Sequence, residues 1–250
     1  MGFLVGHPES FADAAPRTGL PTILLAHSRR LAVSGQLLLG LSRGDPQLVD
    51  LLADEDPFDL PPGANAFASG LPLLTADARR EVLRGLNRRR DWLRTRRLGL
   101  ALWVHRDDVA ELYELAPDLV SWVDEQLDFD ARPDPPLPPG MIGPVRLPPR
   151  APRSVAFAEA DDLRARLNPE CPVEAGPRDE VLAAAWRLAE EQGVRVAWLP
   201  HAALDEQRAT AWLVEVGAEL VLLEEAGGGL RLGLWEDRPF QLRHLQRWNR

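Results

Sequence analysis

Residues 75–105, TADARREVLRGLNRRRDWLRTRRLGLALWVH, contain the helix and the strand that decide the fold. The helix is predicted from Ala76 to about Arg97, with the Thr75 hydroxyl as its N-cap. Its apolar side chains recur on one side, as in a helix that packs on a core, at Val82, Leu83, Leu86 and Leu93. The run Leu98–Val104 follows and is apolar without interruption, which is typical of a strand buried on both faces of a sheet.

The same alternation of strands and helices extends outward from this stretch. In the first half, strands are predicted at 22–26, 36–41 and 65–70. A short helix is predicted at 46–53, a loop at 54–63, and a second helix at 107–116 that stops before Pro117. In the second half, strands are predicted at 155–158, 194–199, 219–224 and 230–235. Helices are predicted there at 160–167, 177–192, 204–216 and 241–248, with Gly193 ending the second of them.

This order of elements predicts an α/β protein with mostly parallel sheets and flanking helices. Glycines 227–229 join the last two strands and predict an antiparallel hairpin at a sheet edge near the C-terminus. Nine prolines fall within residues 131–153, which predicts a linker or a strap lying on a domain surface. We therefore expect two Rossmann-like units, 1–130 and 154–250, joined by the proline-rich segment.

The composition excludes several kinds of chemistry. All 29 basic residues are arginine, so the chain lacks the lysine that a P-loop or a Schiff-base enzyme requires. A net charge of −9 argues against nucleic-acid affinity for the whole chain. The single cysteine, Cys171, excludes an internal disulfide and fits a cytoplasmic location. No signal peptide and no apolar run long enough to cross a membrane is recognised.

The charge pattern has one prominent feature, a basic helix followed by an acidic segment. Residues 79–97 contain nine arginines against Glu81 and Asp91, whereas 107–130 is heavily acidic. One interpretation is a contact with nucleic acid or another anion, with Trp92 available for stacking. The other is a helix face neutralised by acidic neighbours, in the molecule or across a protein interface. The candidate interaction residues are Arg84, Arg88, Arg89, Arg90, Trp92 and Arg94.

Exposed tryptophans are a second candidate for partner binding, because tryptophan is enriched at binding hot spots. Four tryptophans outside the basic helix could serve in this way or could pack in the core: Trp186, Trp212, Trp235 and Trp248.

Two histidines follow predicted strands, where ligands bind in parallel α/β sheets. His105 and Asp107 follow one strand and His201 follows another, so these three are candidate ligand contacts. A histidine after a strand more often has a capping or hydrogen-bonding role. No metal-binding spacing, no catalytic residue and no cofactor-binding residue is predicted.

Residues 65–125 carry a resemblance to a known family. The segments Phe67–Thr75, Leu86–Leu93, Leu100–Val104 and Leu115–Trp122 resemble the second half of bacterial STAND-type NTPase cores, and most of all their inactive branch in multidomain signalling and phage-defence proteins. The resemblance places the first strand at the Walker B position, yet that strand ends in Ser69 and Gly70 without an acid to hold Mg²⁺. It implies a nucleotide-binding fold that has lost its nucleotide chemistry, without cofactor.

From these observations we expect a non-catalytic adaptor or regulatory protein of a bacterial signalling or defence system. It would bind a protein partner through the arginine-rich helix and exposed tryptophans. Two alternatives stay open: an enzyme or sensor for an anionic, nucleotide-like ligand that uses a strand-end histidine, and a nucleic-acid-binding module that uses residues 79–97.

Overall fold

A computed structural model describes residues 3–5, 23–29, 31, 47–128, 139–150, 167, 173–175 and 177–235. The chain divides into two compact units. The first unit comprises Met1–Pro135 together with the short segment Ala202–Asp205, and the second comprises Pro136–His201 and Glu206–Arg250.

Among its described residues, the first unit contains a sheet of six strands, all parallel. The strands are β1 (Phe3–Val5), β2 (Ile23–Ser28), β3 (Gln47–Asp50), β4 (Asn65–Ser69), β5 (Gly99–His105) and β6 (Val123–Asp128), in the spatial order β1-β6-β2-β5-β4-β3. The helices are α1 (Ala76–Thr95), α2 (Val109–Leu115) and α3 (Pro117–Val120). The predicted α/β class with mostly parallel strands is confirmed.

Helix α1 forms for the reasons its sequence indicates. The Thr75 hydroxyl accepts a hydrogen bond from the Ala78 backbone N–H at 3.4 Å and so caps the first turn. Leu83, Leu86 and Leu93 are buried, which sets the face of α1 that packs on the core. The apolar strand β5 follows and is buried along nearly its whole length, as predicted.

Two local features of the first unit differ from what the sequence predicts. The predicted short helix at 46–53 is strand β3 followed by a 3-10 turn, because pairing with β4 outweighs the local helix preference. Strand β6 was not predicted, because it lies in the acidic segment and three of its six residues are acidic. The second predicted helix does stop before Pro117: α2 ends at Leu115, and Pro117 starts the separate helix α3, at a position where a missing N–H costs nothing.

In the part of the second unit that the structure describes, five strands form a mixed sheet. They are β7 (Gly140–Ile142), β8 (Val173–Ala175), β9 (Arg195–Leu199), β10 (Leu220–Glu224) and β11 (Leu230–Leu234), in the order β7-β9-β10-β11-β8. The helices are α4 (Arg178–Glu191) and α5 (Glu206–Glu215). The predicted antiparallel hairpin is β10–β11, and it differs from the prediction in its place, because β8 pairs with β11 and forms the edge of the described sheet. Gly193 has the positive φ of +64° expected after the end of α4.

The proline-rich segment is more than a linker. Gly140–Ile142 forms β7, which pairs in parallel with β9 and belongs to the second unit. This pairing is available because residues 140–143 are free of proline. The Trp186 indole N–H donates to the Pro149 carbonyl at 3.2 Å, so residues near 149 form a strap on α4.

Several predicted features fall outside the described residues. These are the strands at 36–41 and 155–158, the helix at 160–167 apart from the buried Leu167, the helix at 241–248, and the residues Cys171 and Trp248.

Candidate interaction surface

Helix α1 presents two kinds of arginine, those held by the protein itself and those that face solvent. Arg79 belongs to the first kind and is only 7% exposed. Its Nε donates to Glu111 Oε2 at 2.9 Å and its Nη1 donates to the Leu74 carbonyl at 3.2 Å. Asp108 lies 3.6 Å from the same Nε. This arrangement ties the start of α1 to α2 and makes Arg79 a structural residue.

Arg80 shares the Glu111 carboxylate with Arg79. The Arg80 Nε donates to Glu111 Oε1 at 2.8 Å, and this hydrogen bond raises the pKa of Arg80. Partial burial alone would raise the pKa of Glu111, but the hydrogen bonds from Arg79 and Arg80 and their positive charges hold it below its ordinary value. Glu111 is therefore a charged anchor between two helices.

Arg89 is held by the acidic loop that precedes β4. It forms an ion pair with Asp56, and its guanidinium lies 4.7 Å from the centre of the Phe58 ring. Asp56 also accepts the Phe58 backbone N–H at 3.0 Å and so caps a 3-10 turn. Arg89 is thus engaged in fixing this loop.

Arg90 and Arg94 contact the segment around α3. Arg90 lies 3.4 Å from Asp118, and Arg94 stacks over the Trp122 ring at 3.8 Å. The side chain of Arg94 is exposed, whereas Arg90 is half-buried. Four arginines of α1 are therefore paired with carboxylates, as the neutralised-face interpretation expected: Arg79, Arg80, Arg89 and Arg90.

Arg84 and Arg88 differ from these four. Both are exposed, and within the described part of the chain neither has an ion pair or hydrogen bond. Trp92 lies one turn further along and is 52% exposed. Residues spaced by four lie on one face of a helix, so these three side chains form a continuous outer stripe: Arg84, Arg88 and Trp92.

Trp92 is held at its base rather than hanging free. Its ring meets the Phe58 ring edge to face, with centroids 6.4 Å apart and an interplanar angle of 82°. A large aromatic side chain that is fixed on one side and exposed on the other loses little entropy when a partner covers it. This geometry suits an anchor for a partner.

The other tryptophans that the structure describes do not form a matching surface. Trp212 is 0% exposed, and its burial rules out the interaction role considered from the sequence. Trp186 lies beneath the strap, with the Arg150 guanidinium 5.0 Å from its ring centre. Trp235 is half-buried, and among the described tryptophans Trp92 has the most exposed large apolar surface.

The candidate ligand contacts after the strands, His105, Asp107 and His201, do not form a binding surface like the outer stripe. His105 Nε2 donates to the Arg29 carbonyl at 2.8 Å, and Nδ1 accepts the Asp107 backbone N–H at 3.3 Å. Both ring nitrogens therefore serve the backbone, which is the capping role. The Asp107 carboxylate points into solvent, and His201 is exposed after β9 in the second unit.

A further histidine, which the sequence analysis did not single out, lies on the strand next to that of His105. His27 is buried near the carboxyl end of β2, with its Nδ1 3.9 Å from the Asp128 carboxylate of β6. Arg106 contacts the same carboxylate at 3.2 Å. The register of two parallel strands brings these groups together, and that register is not visible in the sequence.

No protein-family model, no curated protein and no solved structure matches the chain. The resemblance of residues 65–125 to STAND-type cores therefore stays a prediction. In the described residues no group of three or more histidine, cysteine or acidic side chains is arranged to hold a metal ion. No helix there is long and apolar enough to span a membrane.

Proposed function

We propose that this protein is a non-catalytic adaptor that binds a protein partner through the outer stripe of α1. The observation that carries the proposal is the contrast along one helix. Arg79, Arg80, Arg89 and Arg90 are paired with carboxylates of the chain, whereas Arg84 and Arg88 face solvent beside the half-exposed Trp92.

The stripe favours a partner that supplies carboxylates next to an apolar contact. A guanidinium binds a carboxylate through two parallel hydrogen bonds, so Arg84 and Arg88 would fix the partner's orientation. Trp92 would supply the buried apolar area at the centre of the contact. Because α1 is tied to α2 and to the acidic loop, the backbone of the stripe is held in place before binding, and association costs mainly the freedom of the arginine side chains.

A nucleic-acid partner is less well supported. Single-stranded nucleic acid needs a groove of positive charge that follows its backbone, and each neutralised phosphate requires an unpaired cation. Four of the nine arginines in 79–97 already have carboxylate partners. The protein as a whole carries a net charge of −9, which opposes long-range attraction of a polyanion.

The proposed setting is a bacterial signalling or defence system. It is supported by the resemblance of residues 65–125 to the inactive branch of STAND-type cores, and the absence of lysine agrees with a core that lacks P-loop chemistry. Adaptors of this kind need a preserved scaffold and a recognition surface, and they need no catalytic group.

The test begins with partners that co-purify with the protein from its native host, followed by binding measurements with purified components. Arg84→Glu and Arg88→Glu should each weaken binding about tenfold or more, because reversal removes an attraction and adds a repulsion. Arg187→Glu is the matched control, since it makes the same charge change on a partly exposed helical arginine of the second unit. Equal affinity for Arg88→Glu and Arg187→Glu would reject the stripe as the binding surface.

A further inference from the structure

A groove of about 330 Å³ lies beside the outer stripe, within the first unit. One wall is the face of α1 that contains Glu81, Val82 and Gly85, and the opposite wall is the acidic loop that follows β3. Leu51, Leu52 and Leu86 are buried side chains that line it. The groove is therefore apolar at its base and large enough for one or two side chains.

The rim of the groove is negative. It carries four carboxylates, Asp54, Glu55, Asp56 and Glu81, against two guanidinium groups, Arg88 and Arg89. Two of the carboxylates bind other groups of the first unit. Asp56 pairs with Arg89, and Glu55 accepts a hydrogen bond from the Asp50 backbone N–H at 2.9 Å. Asp54 and Glu81 are exposed, and the described residues provide neither with an ion pair or a hydrogen bond to its side chain.

The backbone at Asp54 also departs from the common conformation. Its φ of 55° lies in the left-handed region, where aspartate is tolerated better than most residues but glycine is favoured. The residue is the C-cap of the 3-10 turn Leu51–Ala53, which places it at the rim of the groove. Loop residues held in such a conformation are frequent at binding sites.

We infer that this groove binds a basic side chain of the partner, an arginine or lysine presented by an exposed peptide segment. Its apolar stem would lie on Leu51, Leu52 and Val82, and its cationic head would meet Asp54 and Glu81. Long basic side chains bury their methylene groups in this way while the charge stays at the rim. The inference rests on the proposed function, because it names the chemistry of the partner's segment.

The position of the groove adds a sequence requirement for that segment. Arg88 belongs both to the rim of the groove and to the outer stripe. A partner residue next to the inserted basic side chain therefore faces Arg88, and an acidic residue fits there. The surface selects a segment with a basic residue flanked by acidic and apolar ones, and a uniformly acidic or uniformly basic segment fits it less well.

The test uses two synthetic peptides, acetyl-Ala-Leu-Arg-Leu-Ala-amide and its neutral match acetyl-Ala-Leu-Gln-Leu-Ala-amide, and the full chain labelled for NMR. The arginine peptide should shift the backbone amides of Asp54, Glu81 and Gly85 in a saturable manner, and the glutamine peptide should bind about tenfold more weakly. The double variant Asp54→Asn, Glu81→Gln should lose most of this preference for arginine. Equal affinity for the two peptides, or absent shifts at the groove amides at millimolar peptide, would overturn the inference.

A second variant tests the groove by filling it. A Cβ built on Gly85 meets only the Arg89 guanidinium, at 3.6 Å, which is ordinary contact. Gly85→Leu should therefore be accepted by α1, since leucine favours helix more than glycine does, while its side chain occupies the groove and abolishes peptide binding. Retained binding in a folded Gly85→Leu protein would contradict the proposed location.

The two proposals fail in distinguishable ways. Arg84 does not line the groove, so Arg84→Glu should leave binding of the arginine peptide unchanged while weakening the native partner. Partner affinity that is unchanged by Arg84→Glu but lost in Gly85→Leu would reject the stripe and support the groove. The opposite pattern would reject the groove and support the stripe.

Discussion

At the scale of single residues, the function of an arginine depends on partners that are distant in sequence. Arg79 and Glu111 are 32 positions apart, and Arg89 and Asp56 are 33 positions apart. Composition alone shows that the helix is basic and its neighbours acidic. It does not show which arginines are paired, so Arg84, Arg88, Arg89 and Arg90 are equivalent candidates in the sequence and separate only in the structure.

The buried Arg79 should be essential for stability. In Arg79→Ala, Asp108 and Glu111 lose their shared cation in a largely buried environment, and such a loss costs about 3–5 kcal/mol of unfolding free energy. Chemical denaturation monitored by circular dichroism checks this. Arg80→Ala is the control, and it should have a much smaller effect because Arg80 is exposed to water. Similar losses for the two variants would contradict the structural role of Arg79.

The stability of the folded protein should depend on pH through the ionisation of Glu111. Its folded-state pKa is held below the ordinary value, so its ionised form stabilises the protein above the unfolded pKa. This contribution is lost as the pH falls through the folded pKa. Glu111→Gln should therefore reduce the melting temperature near neutral pH. Between about pH 5 and pH 3, the melting temperature of this variant should fall less than that of the wild type. Parallel pH profiles of the two proteins would contradict the assigned ion pairs.

At the scale of elements, helices and strands with strong apolar periodicity were predictable, and edge elements were not. α1, β5, α4 and the β10–β11 hairpin follow from periodicity, caps and turn glycines. β3 and β7 are short edge strands whose conformation depends on pairing with a neighbour. β6 was hidden because its acidic residues resemble a solvated segment. The groove was unpredictable because it forms between a helix and a loop.

The N-cap of α1 gives a prediction at this scale. Thr75→Ala removes the acceptor for the Ala78 N–H and should destabilise the protein by about 0.5–1 kcal/mol. Thr95→Ala, in the last turn of the same helix, is the matched control. Its exposed hydroxyl bonds only to the Asp91 carbonyl, so the better helix propensity of alanine should leave stability unchanged or slightly higher. Denaturant midpoints distinguish the two, and a larger loss for Thr95→Ala would contradict the assigned cap.

At the scale of the whole molecule, the class of fold was predictable and the placement of the proline-rich segment was not. Two α/β units follow from the alternation of elements, because each strand needs a helix to cover it. The density of proline suggested a linker, yet a proline-free stretch within it, residues 140–143, contains a strand of the second unit. The proline content of the segment predicts an irregular structure. The open edge of β9 nevertheless allows residues 140–142 to pair as a strand.

For the protein as a whole, the outer stripe of α1 is the surface that we propose binds a protein partner. Hydrogen–deuterium exchange of the full chain, with and without the co-purified partner, tests it most directly. We expect protection within residues 79–97 on partner addition in the wild type and in Arg187→Glu, and loss of that protection in Arg88→Glu with the rest of the exchange pattern unchanged. Partner-induced protection confined to other segments, or retained in Arg88→Glu, would contradict the claim.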